Sequence, residues 1–459
     1  MRDLGLIAFL LTILALGLKR PFVFVLAFLY VDIVQPQRLS YYLINSVSIS
    51  LVLAPLAMGA WLLADEKRWS RFTGRQALIL LLLIYVGLTT FNADFPIEAQ
   101  TKWGWVWKVL LFSTFLPLTL WSRTRIEALL LVFALSAASI IIGVGIKTAA
   151  GGGGYGQGLS FVDNNTGLFE GSIMSTAAIA LIPLLLWFTR HGTIFPPDWR
   201  VKTFSYALIF ACLLIPVGTQ ARTGMICIAA LAVLLLRNVK RRFLYLGILG
   251  LMGAAAIPML PQSFSDRMST IQGYQSDQSA STRLAIWAWT IDYATHNPFG
   301  GGFEAYRQNK LSFETQKTQG AGETQSVATQ TIQDAGRAYH SSYFEMLGEQ
   351  GFPGLIMWLL LHAIGLVRME VVRRRYRKAQ GEDEWIGPLA GALQTAHLVY
   401  LTGSLFVGIA FQPFAFIFIA AEIGIDNHLK RRAKVAAGER KPKISGAAVA
   451  SAEPGVSLA

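Results

Sequence analysis

The chain of 459 residues has few charged residues and few cysteines, and both shortages limit what it can be. Charged residues make up 15% of the chain, hydrophobic residues make up 53%, and the mean hydropathy is +0.46. Soluble domains contain about 25% charged residues, so this composition argues against a soluble protein. The two cysteines, Cys212 and Cys227, both lie inside apolar segments. They are predicted to be small core residues, which excludes a disulfide framework and a cysteine-based zinc site.

Acidic residues are also scarce relative to basic ones. The chain has 40 Lys and Arg residues against 27 Asp and Glu residues, which gives a net charge of +13. The basic residues cluster between apolar segments, and they lack the interleaved aromatic residues that are typical of a nucleic-acid surface. The excess charge therefore indicates orientation in a membrane, and no nucleic-acid partner is expected.

Long apolar segments recur along most of the chain. Backbone polar groups in lipid must be paired within their own segment, so these segments predict membrane helices. The strands of a membrane barrel would alternate apolar and polar residues, and these segments do not. The predicted spans are 4–18, 21–35, 43–64, 76–93, 105–122, 126–147, 171–189, 203–219, 222–237, 242–260, 352–372, 387–403 and 405–425. Because the first two are short, an all-α polytopic membrane protein with 12 or 13 transmembrane helices is predicted.

Lys and Arg residues in short loops predict the orientation of these helices. Counting spans places four basic groups on one side, which is predicted to be cytoplasmic. The groups are Lys67, Arg68, Arg71 and Arg75; Arg237, Lys240, Arg241 and Arg242; Arg368, Arg373, Arg374, Arg375, Arg377 and Lys378; and Lys430, Arg431, Arg432 and Lys434. Residues 1–260 then hold about ten spans, 261–350 form one long outer loop and 351–428 hold the last spans. The segment 429–459 is predicted to be a disordered cytoplasmic tail.

The outer loop has two contrasting parts. In "SASTRLAIWAWTIDYATHNPFGGG", apolar residues at helical spacing predict an amphipathic helix that is suited to a membrane surface. Ser279 or Ser281 can cap its start, and the proline and glycines after it end it. Its apolar face is formed by Leu284, Trp287, Ala288 and Ile291. The second part, Thr315–Gly336, is polar and poor in aromatic residues, so it is predicted to be flexible.

A histidine stands at the end of this loop, in "AYHSSYFEMLGEQGFPG" (Ala338–Gly354). After His340, Tyr343, Phe344 and Leu347 repeat at helical spacing, and Gly351 can end that short helix before the next membrane segment. From these residues alone, a structural histidine bonded near a helix start is the favoured interpretation.

Two arginines of the outer side lie at unusual places. In "GTQARTGM", Arg222 falls at the outer mouth between two spans, where it either reaches the membrane interface or binds an anion in a cavity. Arg283 lies near the start of the amphipathic helix, where solvation and function are equally favoured. No His and Cys residues have metal-ligand spacing, and the glycine-rich stretch Gly151–Gly158 lacks the G-K-[ST] of a phosphate-binding loop. Neither a metal nor a cofactor is expected.

Together, these motifs resemble the O-antigen ligase and polymerase superfamily of membrane glycosyltransferases, and within it the O-glycosylation ligases found with exosortase systems. "TQARTG" is similar to the signature Ser/Thr-x-Ser-Arg-Gly/Ser, with Ala221 in place of the serine. "RLAIWAWTIDYATHNPFGGGFEAY" matches R-x-x-x-W, then N/D-P, then G-x-G-F-x-x-Y. "YHSSYFEMLGEQGFPG" matches H-N-x-Y-x-x-x-L-x-E-x-G-x-x-G, with Ser341 where the family usually has asparagine.

The resemblance implies a GT-C-like helical fold in a bacterial inner membrane, with the active site on the periplasmic face. It also implies a polyprenyl diphosphate-linked glycan as donor and a hydroxyl of a lipid, protein or polysaccharide as acceptor. His340 is expected to act as the base, and Arg222, Arg283 and Arg337 are expected to bind the donor diphosphate. A polymerase of the same superfamily is the first alternative. A transporter of lipid-linked glycan is the second, although no internal repeat of the kind common in transporters is evident.

Overall fold

Helices dominate the computed structural model, which describes residues 2–39, 48–67, 70–151, 168, 170–237, 239–241, 243–244, 247, 250–251, 278–319 and 326–436. The prediction of an all-α polytopic membrane protein is confirmed. The bounds of the helices are α1 (Arg2–Lys19), α2 (Phe22–Val34), α3 (Pro36–Leu39), α4 (Ile49–Ala64), α5 (Gly74–Phe91), α6 (Pro96–Thr119), α7 (Arg123–Gly151), α8 (Gly171–His191), α9 (Trp199–Gly218), α10 (Arg222–Leu236), α11 (Gln278–His296), α12 (Ser342–Arg375), α13 (Ile386–Gly403) and α14 (Pro413–Ala436).

All of these helices except α3 and α11 overlap one predicted span each. By length and composition, α5, α7, α8, α9 and α12 can cross a membrane, and α2, α4 and α10 are shorter apolar helices. The predicted span 242–260 lies mostly outside the described residues, as does most of the glycine-rich loop after Gly151. The total of 12 or 13 spans therefore stays a prediction. The prediction of a disordered tail over 429–459 is wrong for 429–436, because α14 continues to Ala436, and residues 437–459 lie outside the described residues.

The apolar core lies where α7, α13 and α14 meet. Phe133 of α7 makes edge-on ring contacts with Phe414 and Phe418 of α14, with centroids 4.9 and 5.5 Å apart. Cys212 and Cys227 are buried free thiols, as predicted. By contrast, α9 leaves Tyr206 and Phe210 exposed on one face, as expected of a helix whose outer side contacts lipid.

Ionisable side chains also form a continuous hydrogen-bonded chain inside the helix bundle. Arg75 was expected in a basic loop, yet it is only 7% exposed and binds Glu422 and Asp426 of α14, at 3.2 and 2.8 Å. Buried charges need such partners because desolvation is otherwise very unfavourable. The chain continues from Glu422 to His397 at 2.8 Å and from His397 to His362 at 2.7 Å. At its edge Arg368, whose side chain is 44% exposed, binds the buried Asp426 at 2.9 Å. These six residues are called the buried ionic chain.

The second half of the outer loop differs from its prediction. Lys310–Gln319 (β1) and Ser326–Ala335 (β2) form an antiparallel hairpin, with Lys310 opposite Ala335 and Gln319 opposite Ser326. The prediction of a flexible segment over Thr315–Gly336 is therefore wrong for residues 315–319 and 326–335, and residues 320–325 lie outside the described residues. Backbone hydrogen bonds hold this pair together, and the polar sequence lacks the apolar alternation by which a half-buried strand is recognised.

Helix α11 confirms the predicted helix, with two differences. It begins at Gln278, ahead of Ser279 and Ser281, so neither serine is the cap that was predicted. The face that packs against the protein contains Ile286, Thr290 and Ala294, while Leu284 and Ile291 are 58% and 51% exposed. The predicted apolar face is therefore divided: Trp287 packs against the protein, while Leu284, Ala288 and Ile291 are exposed and form the outer face. Contact of that outer face with a membrane surface stays a prediction.

Candidate active site

His340 lies directly before α12, in a strained backbone conformation. Its φ angle is 48°, in the left-handed region, and the residue is exposed. A left-handed conformation costs a non-glycine residue about 1–2 kcal/mol, so the surrounding structure must hold it. Ser341 occupies the N-cap position of α12, without a side-chain cap bond, so His340 lies one residue ahead of the helix.

Fixed neighbours hold His340 from both sides. On one side, Trp287 of α11 donates its indole N–H to the carbonyl oxygen of Tyr339 at 2.9 Å. The Trp287 ring also stacks on Phe344, with centroids 4.8 Å apart and planes 8° apart. On the other side, the N–H of Ser342 donates to the carbonyl of Ser404 at 2.8 Å. Helix α11 and the end of α13 therefore position the histidine together.

The same contacts bring two of the predicted arginines to the histidine. Arg283 precedes Trp287 by one helical turn, so both lie on the same face of α11. Arg337 is placed by Asn309, whose side chain donates to the Arg337 carbonyl at 2.7 Å and accepts from its N–H at 3.0 Å. Asn309 is fully buried at the base of the hairpin, and sequence reasoning missed it.

The electrostatic surroundings favour a neutral His340. Partial burial of the ring, and then the positive charge of Arg283, lower the pKa of His340 below its ordinary value. Arg337 acts in the same direction, and the carboxylate of Glu170 opposes it. A neutral imidazole at neutral pH has a free lone pair, so His340 can accept a proton.

Arg222 lies at the turn between α9 and α10, on the side of α8 where Glu170 is found. Glu170 caps α8, accepting the N–H of Ile173 at 2.7 Å. The first turn of α8 packs on the α9–α10 turn, where the hydroxyls of Ser175 and Thr219 lie 2.9 Å apart. Arg222 is the first residue of α10 after this turn, so its backbone lies near the end of α8 that carries Glu170.

Backbone strain is concentrated in the predicted motifs. Among the described residues, four non-glycine residues have a positive φ angle, and three of them are Gln220, Glu304 and His340. These three fall in "TQARTG", "GGFEAY" and "YHSSY", which are the motifs predicted to be functional. Strained backbone conformations cluster at functional sites, and they persist only where surrounding contacts fix the backbone strongly enough to offset the strain. The strain thus supports one site built from three segments.

Comparison with known families gives a match over the same part of the chain. Residues 207–359 match the O-antigen ligase family. The matched segment contains Arg222, Arg283, Arg337 and His340, so the resemblance to the O-antigen ligase and polymerase superfamily is confirmed. Residues 1–193 match a family of unknown function, DUF5935. A search of the curated proteins gave no significant match. The family supports a membrane glycan ligase or polymerase in general.

Within the O-antigen ligase segment, two motifs are joined at the backbone. The N–H of Gly302 donates to the Glu349 carbonyl at 2.9 Å, and the N–H of Phe352 donates to the Pro298 carbonyl at 2.9 Å. Gly300 has φ 81°, and a Cβ there would lie 2.5 Å from the Glu349 carbonyl oxygen, so only glycine fits. Gly351, at φ 61°, separates the short helix from the membrane helix within α12, which confirms the predicted break.

An ionic cluster fastens this part of the ligase segment to α6. The Lys102 amine lies 2.6 Å from a Glu345 carboxylate oxygen and 2.8 Å from one of Glu349. Glu349 also accepts the N–H of Glu304 at 3.1 Å, and Glu345 accepts that of Ala410 at 3.3 Å. Sequence reasoning missed this cluster because Lys102 and Glu345 lie 243 positions apart.

A polar cavity of about 280 Å³ lies against this cluster. Its lining includes Trp105 of α6, Tyr306, and Gln412 in the segment before α14. Gln412 is only 1% exposed, and neither its amide oxygen nor its amide nitrogen has a hydrogen-bond partner among the described residues. Burial and the Glu304 carboxylate raise the pKa of Tyr306, so its phenol stays protonated. The cavity therefore offers donors and acceptors suited to a hydroxyl-rich ligand.

Metal ligands form no recognisable group in the part of the chain that the structure describes. No three His, Cys, Asp or Glu residues among the described residues are arranged to hold a metal ion.

Proposed function

We propose that this protein is a membrane glycan ligase that transfers a polyprenyl diphosphate-linked glycan en bloc to an acceptor hydroxyl. The reaction takes place on the periplasmic face of the bacterial inner membrane. The observation that supports the proposal is the exposed His340, on which the charges of Arg283 and Arg337 act, within the segment that matches the O-antigen ligase family.

His340 acts as the general base in this proposal. A hydroxyl has a pKa far above 7, so it needs a base as its oxygen attacks the anomeric carbon of the donor glycan. The new glycosidic C–O bond forms while the bond to the diphosphate breaks, and the electron pair leaves with the lipid diphosphate. The proton of the hydroxyl moves to the imidazole.

The three arginines stabilise the leaving group. A lipid diphosphate gains negative charge as it departs, and guanidinium groups offer paired donors that match phosphate oxygens. Arg283 and Arg337 are held beside the base, and Arg222 comes from the turn that packs on α8. Stabilising charge that develops in the transition state is often the largest contribution to catalysis. No metal ion is needed in this scheme.

The polar cavity favours a ligase over a polymerase. A polymerase must bind two lipid diphosphates at once, so it needs a second cluster of positive charge. The cavity lining instead contains the three carboxylates of Glu98, Glu304 and Glu345 against the two cations of Lys102 and Arg307. A diphosphate would be repelled there, whereas the hydroxyls of an uncharged acceptor would find partners.

The test supplies purified protein in lipid nanodiscs with lipid-linked glycan, a separate hydroxyl acceptor and EDTA. We expect one product, enlarged by the whole glycan, and no product from the His340→Ala variant. A ladder of lengthening lipid-linked glycan with an unmodified acceptor would establish the polymerase alternative instead. Loss of transfer on adding EDTA, restored by a divalent metal, would contradict the metal-free scheme.

A further inference from the structure

A groove on the predicted cytoplasmic side of the bundle carries positive charge that the transfer reaction does not use. It lies between α8, α9, α10, α12 and α13 and encloses about 490 Å³. No carboxylate is among its lining residues. Its polar end is lined by four arginines: Arg190, Arg237, Arg373 and Arg377. This site is called the basic groove.

Two arginines of the basic groove, Arg237 and Arg373, lie close enough for their charges to interact. Arg237 donates to the amide oxygen of Gln394 at 2.8 Å, and the charges of Arg373 and Arg374 oppose its own. Glu370 binds Arg373 at 2.7 Å and acts in the other direction, and the charge of Glu384 acts on the lining residue His191, so two carboxylates lie beside four groove arginines. Like charges held close together favour an anion between them, and arginine forks match phosphate oxygens.

The basic groove also has an apolar part. Leu186, Leu234 and Leu235 line it, and Gly391 of α13 lies against the Arg373 side chain, where a Cβ would come within 3.3 Å. Close by, Phe210 of α9 and Val233 of α10 are exposed apolar side chains. A free phosphate would use only the polar end, whereas a phospholipid would use both ends.

We propose that the basic groove binds the headgroup of an anionic phospholipid, with the acyl chains lying along the exposed apolar faces of α9 and α10. The arginines select the negative phosphate, and the leucine-lined part selects a lipid over a soluble anion. Basic pockets between membrane helices on the cytoplasmic side are suited to such headgroups. The site lies on the membrane side opposite the proposed active site, so this inference is independent of the transfer reaction.

The experiment uses purified full-length protein in detergent micelles and native mass spectrometry. Dioleoyl phosphatidylglycerol, cardiolipin and dioleoyl phosphatidylcholine are added separately to wild type and to the double variant Arg237→Gln, Arg373→Gln. We expect the two anionic lipids to bind wild type and phosphatidylcholine not to. In the double variant, anionic lipid should bind about 30-fold more weakly, because each arginine contributes about 1 kcal/mol to the binding of an anionic headgroup.

Two further variants make the result decisive. Arg374→Gln removes an exposed neighbouring arginine that does not line the groove, so lipid binding should persist. Ala392→Trp fills the groove and keeps every arginine, so it should abolish lipid binding. This variant tests the site independently if the double variant does not fold. The proposal would be overturned if phosphatidylcholine bound wild type as well as the anionic lipids do, or if Ala392→Trp bound anionic lipid as well as wild type does.

A competition experiment adds 10 mM pyrophosphate. If pyrophosphate displaced the lipid and bound Ala392→Trp as well as wild type, the groove would be a site for soluble anions and the proposal would be overturned too.

Discussion

Two regions of the molecule place histidine beside arginine, in opposite surroundings. In the buried ionic chain, His362 and His397 lie between helices, and two arginines face two carboxylates, so the formal charges cancel. At the candidate active site around His340, called the outer site after its predicted side of the membrane, the histidine is exposed. The positive charges of Arg283 and Arg337 act on it, and the carboxylate of Glu170 opposes them.

The comparison distinguishes charged groups that stabilise the fold from charged groups that are suited to binding a ligand. A buried charge must be neutralised by the protein itself, because no water can do so. An exposed site can keep an excess of one sign, since solvent supports it until an anion arrives. The comparison therefore predicts loss of stability from changes in the buried ionic chain and loss of activity from changes at the outer site.

The largest effect is expected from His340→Ala. Removal of a general base lowers transfer by about 10²–10⁴-fold. Because His340 is exposed, the thermal unfolding temperature should stay the same. Both are measured on protein purified in nanodiscs. Full activity of this variant would remove the distinction between the two regions.

The buried ionic chain is tested by Glu422→Ala, which leaves Arg75 and His397 without this partner. Breaking a buried ion pair costs about 3–5 kcal/mol of unfolding free energy. Thermal unfolding should reveal the loss, while activity per folded molecule is retained. The control is Glu98→Ala, whose carboxylate is partly exposed and 3.9 Å from Arg307, and it should change stability by about 0–1 kcal/mol. Equal stability of the two variants would contradict the structural role.

A smaller loss of activity is expected from Arg222→Lys and Arg283→Lys. Lysine keeps the charge and loses the planar pair of donors. One charge-assisted hydrogen bond contributes about 1.5–3 kcal/mol, so the rate should fall roughly tenfold or more in each variant. Initial rates at varied donor concentration measure this, with Arg374→Lys as the control at an exposed position. Wild-type rates in both variants would exclude a diphosphate clamp.

Trp287→Phe should have a still smaller effect. It keeps an aromatic ring against Phe344 and removes the hydrogen bond to the Tyr339 carbonyl, worth about 0.5–1.5 kcal/mol. Because this bond positions the base, kcat should fall several-fold while KM for the donor stays constant. Trp289→Phe is the matched control, since Trp289 stacks on Tyr293 elsewhere on α11. A fall in both variants would indicate general weakening of the helix.

The smallest effect concerns the acidic side of the pH–rate profile. His340 is active as a base when neutral, so its lowered pKa keeps the enzyme active toward lower pH. Arg337→Gln removes a charge that lowers this pKa, so the acidic limb should move to higher pH. Glu170→Gln removes the opposing charge, so the limb should move to lower pH. The shifts are small because solvent and salt screen exposed charges. Shifts of the same sign would show that another group is titrating.

Local sequence signals predicted much of this structure. The apolar segments located the membrane helices, and "HNPFGGG" and Gly351 marked the ends of two helices, because glycine and proline act through their own backbone geometry. The motifs also named His340 and the arginines before their neighbours were known. The roles of these four residues in catalysis stay predictions.

Other features had no local signal. The polar hairpin lacks apolar alternation, and the packed face of α11 depends on what lies beneath it. The clamp of Asn309 on Arg337 and the bridges from Lys102 to Glu345 and Glu349 join distant parts of the chain.

The sequence by itself determined that this chain is a helical membrane protein and which few polar residues lie among its apolar segments, because hydropathy and backbone geometry act residue by residue. Only the tertiary structure decided which of those residues meet. Arg75 became part of a buried ion pair, while Arg283 and Arg337 were brought to an exposed His340. The physical reason is that the interaction of charges depends on their separation and burial, and both are set by segments far apart in the chain.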